Sequence, residues 1–206
     1  MSSSNLIKQE ALKLFSIHGY EGTSMEAIAA KVGIRKASLY SHFKGKEQIF
    51  LTIVDELIRK NQELLKRLTD EIADSDTEEQ LYAIFQHLAC YPLEADQEIE
   101  FNFFRRMSSF PPYALKSVLL EKLTLYERQL KELLASIFTK GMDDGTIRNH
   151  DIYDLLNAFI CISDGVMMQF QYGTNEQFLH IVQSAWHVFC SGIFRNGEAI
   201  DESYSC

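Results

Sequence analysis

Proline is scarce in this chain, three in 206 residues, and the ten glycines leave long stretches without a breaker. That scarcity argues against a turn-rich β architecture and for helices. No apolar run approaches the roughly 20 residues that a membrane span needs. The longest are short, such as Ile160-Cys161-Ile162. Met1-Ser2-Ser3-Ser4-Asn5 has no basic region leading into an apolar stretch, so no secretory signal is expected and the cytoplasm is the expected location. Cys90, Cys161, Cys190 and Cys206 are widely spaced, with no CxxC. Three of them sit in apolar helical patterns, as core thiols do in a reducing compartment.

Catalytic signatures are missing as well. There is no GxSxG, P-loop, HExxH or dinucleotide fingerprint. His87, His150, His180 and His187 do not stand at metal-ligand spacings with cysteines or acids, and the i+7 pair His180/His187 reads as structural. No enzyme, no cofactor and no metal is expected.

Charge is unevenly spread. The net charge is −9. Residues 1–50 hold Lys8, Lys13, Lys31, Arg35, Lys36, Lys44 and Lys46 against Glu10, Glu21, Glu26 and Glu47, seven minus four or +3, so the remainder carries −12. A basic head on an acidic body can present one face to phosphates while the rest repels them.

Hydrophobic residues are plentiful, at 46%, enough for a sizeable core. Their period is helical. Ile7, Ala11, Leu14, Phe15 and His18 form one stripe over residues 5–18. Thr23-Ser24-Met25-Glu26 fits a capping box with Thr23 as N-cap and Glu26 at N3, opening a short helix over 24–32. Gly33-Ile34 makes a turn, and a third helix covers 36–42. The stripe from Ile49 to Ile72 predicts a fourth helix of some seven turns. Further helices are expected over 78–90, 95–108, from Pro112 to about residue 140 where Gly141 ends it, over 152–172 and over 176–194. The fold is thus expected to be all-α with about nine helices, divided into a head (1–48), a helical body (49–195) and a polar tail (196–206).

The informative stretch is 19–47. Two short helices that cross steeply need a small residue at the crossing, and Ala29 supplies it. Gly33 takes the turn. Ile28, Val32, Ile34 and Leu39 can bury the inner faces. Arg35, Lys36, Ser38, Ser41 and His42 are left on the outer face of the second helix, types suited to base edges and phosphates. This is a helix-turn-helix pattern.

The stretch resembles the TetR family of transcriptional regulators. The likeness lies in Gly19-Tyr20 before a Thr-capped helix, the Ile28-Ala29 pair, the Gly33 turn, and the run Leu39-Tyr40-Ser41-His42-Phe43-Lys44-Gly45-Lys46-Glu47, and it covers about residues 7–58. The Gly141 to Arg148 stretch looks like the turn many members carry before their last two helices. The resemblance implies that Thr23 and Ser24 hold a phosphate at a helix N-terminus. It implies that Arg35, Lys36 and Ser38 face the groove, that Tyr40, His42 and Lys46 contact phosphates, and that Leu39 and Phe43 are core. Ala37 offers a methyl, as to a thymine, and Ser41 completes the outer face.

For the body, the resemblance implies a homodimer formed by the last two helices. It would use the stripes Leu155, Phe159, Ile162, Val166 and Phe170, and Phe178, Val182, Trp186 and Phe189. Such a dimer reads a near-palindrome in double-stranded DNA. The resemblance also implies a pocket for a small-molecule effector. Candidate lining residues are Tyr82, Phe85, Phe101, Phe104, Tyr126 and Met167, with Glu94, Asp96, Glu98 and Glu100 nearby in sequence, a set suited to a flat amphipathic molecule, a cation included. The expected function is a ligand-responsive repressor. A helical adaptor of the same fold that does not read DNA is the alternative.

Overall fold

Ile7, Ala11, Leu14 and Phe15 recur at helical spacing, and all four are buried in α1, Ser3–His18. The structure is a computed structural model and describes residues 3–90, 93 and 97–195. The rest of α-helical structure follows in order: α2, Met25–Val32; α3, Lys36–Tyr40; α4, Lys46–Glu71; α5, Thr77–Ala89; α6, Glu98–Ser109; α7, Lys116–Asp143; α8, Ile152–Gln169; α9, Asn175–Ile193. The described residues therefore hold nine α-helices and no strand, as the low proline and glycine content leads one to expect. Short 3-10 turns at Tyr113–Leu115 and Phe170–Tyr172 precede α7 and follow α8. Pro92, Glu94, Asp96, Cys206 and the polar tail expected over 196–206 lie outside the described residues.

The chain forms two units. The first comprises Met1–Glu63 with Ala95–Thr124, the second Leu64–Glu94 with Leu125–Cys206. This differs from the head expected to end at residue 48. α6 and the start of α7 belong with the first three helices, because their apolar faces complete one core: Phe103, Met107, Leu115 and Leu119 pack with Phe15, Ile28, Leu39 and Phe50. Long-range polar contacts reinforce it. Lys60 Nζ lies 2.7 Å from Glu100, Lys122 Nζ lies 2.6 Å from Asp55, and Arg106 donates to the Ile17 carbonyl at 3.2 Å.

The second unit has its own core. Leu81, Phe85, Phe138, Phe159, Phe178, Val182 and Trp186 are buried together. The expected dimer stripe is thereby corrected. Leu155, Phe159, Val166, Phe178, Val182 and Trp186 are buried within the chain itself, and Ile162, Phe170 and Phe189 are half-buried against the same core. Their rings make packed contacts there: Phe159 with Phe189 at 5.8 Å, Phe170 with Phe178 at 5.3 Å. A helical stripe this apolar is consumed by the monomer before any partner is needed. The outward face of α8 and α9 carries Ala158, Cys161, Gly165, Ser184, Val188 and Ser191 instead, all exposed.

Gly141 is also not the stop it resembled. α7 passes through it to Asp143. A Cβ there would lie 2.8 Å from Ile147 Cδ1 and from Thr77 Cγ2, so glycine is required by close approach. Ile147 in turn pairs with Phe194, with Arg148 N–H donating to the Ile193 carbonyl at 2.8 Å. That short bridge ties the turn after α7 to the end of α9.

Candidate nucleic-acid interface

α2 begins at Ser24, whose hydroxyl accepts from the Ala27 N–H at 3.1 Å. Ser24 is therefore the N-cap, where the sequence pattern pointed to Thr23. Thr23 is buried, its hydroxyl donates to the Gly19 carbonyl at 2.8 Å, and its N–H donates to the Tyr20 carbonyl at 3.3 Å. With both groups turned inward, Thr23 closes the loop and has no group left for a phosphate. Glu26 does not complete a capping box. It pairs instead with Lys36 across the turn.

Gly33 caps α2 at φ 77°, ψ 28°, its N–H reaching back to the carbonyls of Ala29 and Ala30, while the Ile34 N–H also donates to Ala29 at 3.0 Å. These bonds satisfy the carbonyls left open at a helix end. Ala29 is buried, as a small residue at a close crossing should be. α3 is only five residues long, shorter than the 36–42 expected, and a turn covers Ser41 and His42.

The outward surface of this second helix and its turn is continuous. Arg35, Lys36, Ala37, Ser38, Tyr40, Ser41 and His42 are all exposed, while Leu39 and Phe43 are buried in the first unit's core. Leu39 is 0% exposed and Tyr40, one residue on, is 47% exposed. Lys36 Nζ stands 6.0 Å from the Tyr40 ring centroid. The Lys36 hydrogen bond holds the Glu26 carboxyl below its ordinary range, and the same bond pushes the Lys36 ammonium up. Ser41 donates to the Ser38 carbonyl at 2.7 Å.

Lys46 is committed elsewhere. Its ammonium donates to the Tyr20 carbonyl at 2.7 Å and lies 4.1 Å from the Tyr20 ring centroid. It works as a strut between the start of α4 and the loop before α2. Burial, with Glu47 and then Glu21 nearby, pushes the Tyr20 phenol up, so it stays neutral beneath that ammonium. Lys44, which the sequence left in the background, is exposed, and its backbone N–H is held by the Gln48 side chain at 2.7 Å. Its missed signal was the Lys44-Gly45 step itself, which leaves the side chain outside α4.

The six residues expected to line an effector pocket fall in both units. Phe101 and Phe104 belong to the first; Tyr82, Phe85, Tyr126 and Met167 belong to the second. In the second unit, Phe85 stacks on Trp186 at 5.2 Å and Tyr82 tilts against it at 5.1 Å. The Trp186 indole N–H is buried with no hydrogen-bond partner among the described residues. Burial pushes the Tyr126 phenol up to about 12, so it remains a neutral donor. Of the acids expected nearby, Glu98 is exposed and Glu100 pairs with Lys60. No helix among the described residues is long and apolar enough to cross a membrane.

Residues 7–53 match the family model for bacterial regulatory proteins of the tetR family. The negative transcriptional regulator of a biofilm operon, IcaR, of Staphylococcus epidermidis is 30% identical over 105 residues, 51% of this chain and 53% of that protein. The chain thus spans about half the length of this curated relative. A transcriptional regulator of Saccharomonospora viridis, solved with choline, superposes with a TM-score of 0.76 at 18% identity, over 94% of this chain and 98% of that one. AibR, solved with isovaleryl coenzyme A and operator DNA, gives a TM-score of 0.67 at 20% identity, over 91% and 97%. At these identities the likeness is one of fold, and it extends over both units. With the matched head and this fold, the chain belongs to the TetR family.

Proposed function

We propose that the chain is a ligand-responsive transcriptional repressor, acting in the cytoplasm, that binds a near-palindromic operator in double-stranded DNA as a homodimer. The observation that carries the reading is the outward surface of α3: Arg35, Lys36, Ala37, Ser38, Tyr40, Ser41 and His42 stand together in solvent on a helix whose other side is locked by Leu39 and Phe43. In this reading Arg35, Lys36 and Ser38 enter the major groove and Ala37 meets a thymine methyl. Ser24, Tyr40, Ser41, His42 and Lys44 fix the frame on phosphates. Lys46 holds the loop before α2 rather than the DNA.

The dimer would form through the outward face of α8 and α9, around Ala158, Cys161, Gly165 and Val188, since the inward stripes are taken. A small aromatic or amphipathic effector would enter the aromatic cluster of the second unit. The unpartnered Trp186 N–H supports this, because a buried donor without an acceptor is a cost that a ligand carbonyl or hydroxyl removes. Choline and isovaleryl coenzyme A, found in the two related structures, share little chemistry and so do not fix the effector class. Release from DNA follows if the effector binds the non-reading conformation better.

The test is anisotropy of labelled duplex from the region flanking the chain's own gene, titrated at several salt concentrations. Affinity is expected to fall steeply with salt, and Arg35→Ala with Lys36→Ala to flatten the slope by about two per subunit, at roughly 0.9 per phosphate contact. Binding that ignores both salt and these two substitutions would instead favour the adaptor reading.

A further inference from the structure

The first unit holds a half-open cleft of about 350 Å³ between the end of α1 and α6, which no part of the proposed DNA or effector reading uses. We propose that this cleft is a binding site for a planar aromatic carboxylate of one or two rings.

Its floor is aromatic. Phe50 lies 5.0 Å from Phe15 and 5.0 Å from Phe103, ring centre to ring centre, and Met107 adds its thioether beside them. Its rim is cationic. Arg105 and Arg106 both line the cleft, and neither has a carboxylate within ion-pair distance among the described residues. Arg105 Nε is buried without a hydrogen-bond partner there. A guanidinium edge that has lost water and gained no acceptor is an unbalanced cost, and a carboxylate seated side-on against Nε and one Nη removes it with two charge-assisted bonds. Arg106 is held in place by its bond to the Ile17 carbonyl at 3.2 Å. Gly19 keeps that position open: a Cβ there would come within 3.2 Å of Arg106 Nη1. Phe110, 79% exposed at the mouth, supplies a ring with no packing role in the core and free to close over a flat ligand. Glu21 is the single carboxylate of the lining, and it sits exposed and unpaired with either arginine.

The volume decides the size class. Ligand pockets run from about 300 to 1,000 Å³, so this one is at the small end, fitting a substituted benzoate or naphthoate and excluding a nucleotide. The charge decides the sign, since two unpaired guanidiniums reject an aromatic cation.

The experiment uses the full chain with sodium 2-naphthoate as probe and 2-naphthamide as its neutral isostere, by calorimetry and by amide NMR. Naphthoate is expected to bind about ten-fold or more tighter than the amide, as a charge-assisted bond to a buried guanidinium requires. Amide shifts should centre on Gly19, Phe103 and Met107. Arg105→Met, which keeps the apolar stem, should lose about ten-fold in naphthoate affinity and leave naphthamide unchanged. Should Arg105→Met fail to fold, Arg106→Met, at an exposed position, carries the same test with a smaller loss. Equal affinities for the two probes, naphthoate binding that both variants leave intact, or shifts centred on α8 and α9 would each overturn the proposal.

Discussion

At Gly33 no heavy atom lies within 4 Å of the place a Cβ would occupy, so only the backbone angle of +77° restricts the residue. Gly33→Ala is therefore expected to cost about 1 kcal/mol in a urea titration, and Gly33→Asn less, since asparagine tolerates the left-handed region better. Equal midpoints for the two variants would refute that cause. The same small residue means something else at Gly141, where crowding from Ile147 and Thr77 sets the requirement inside a continuing helix. Sequence shows a glycine in both places and cannot separate a turn angle from a close approach, because the crowding atom of Thr77 is distant in the chain. The cap of α2 has the same ambiguity. Thr23 and Ser24 are neighbouring hydroxyls, and Thr23 with Glu26 fits the box pattern better. The outcome turns on Lys36, which draws Glu26 away from the cap. That pair has its own consequence. Glu26 shields one of the cations expected to meet DNA, so Glu26→Gln should raise duplex affinity up to about five-fold, the range of an exposed pair, and steepen the salt dependence. An affinity that drops on this substitution would mean that Lys36 is positioned, not shielded, by Glu26.

Helical period reads well at the scale of elements. The stripes of α1, α4, α8 and α9 are where the apolar spacing puts them, and the helix order follows from breakers and caps such as Asp76, Asp151 and Thr174. Period reports that a face is buried; it is silent on who buries it. That is why Phe159 and its neighbours pointed to a partner chain while the structure packs them inside one. Phe159, 0% exposed, touches Phe85, Phe138 and Phe189. Phe159→Ala is accordingly expected to cost about 3–5 kcal/mol by urea unfolding, with no change in oligomeric state under native conditions. A normal unfolding midpoint combined with a shift to monomer would restore the interface reading. The division into units escaped the sequence for a related reason. Lys60 and Glu100 are 40 residues apart, Asp55 and Lys122 67, Ile17 and Arg106 89. Pairings at that separation leave no local period, so the contribution of α6 to the reading head could be found only in three dimensions.

For the whole molecule the governing question is how so few cations read DNA on a chain of net charge −9. One head brings Arg35, Lys36 and a few neighbours, and a handful of phosphate contacts gives only the weak binding typical of non-specific complexes, about 10⁻⁴ to 10⁻⁶ M. Two heads on one rigid body convert the second contact into an intramolecular event and raise the affinity by two orders of magnitude or more without any new contact type. Repression by this chain therefore depends on the face that holds two copies together. Val188, 69% exposed on the outer side of α9, sits at the centre of the face proposed for that role. A carboxylate there would be buried unpaired against its symmetry mate in a dimer, yet solvated in a monomer. Val188→Glu should thus sediment as a monomer, keep its unfolding stability within about 0.5 kcal/mol as a surface substitution does, and lose about 100-fold in operator affinity. A monomeric Val188→Glu chain that still bound operator with undiminished affinity would show that one head suffices and that the two-fold reading of the DNA is wrong.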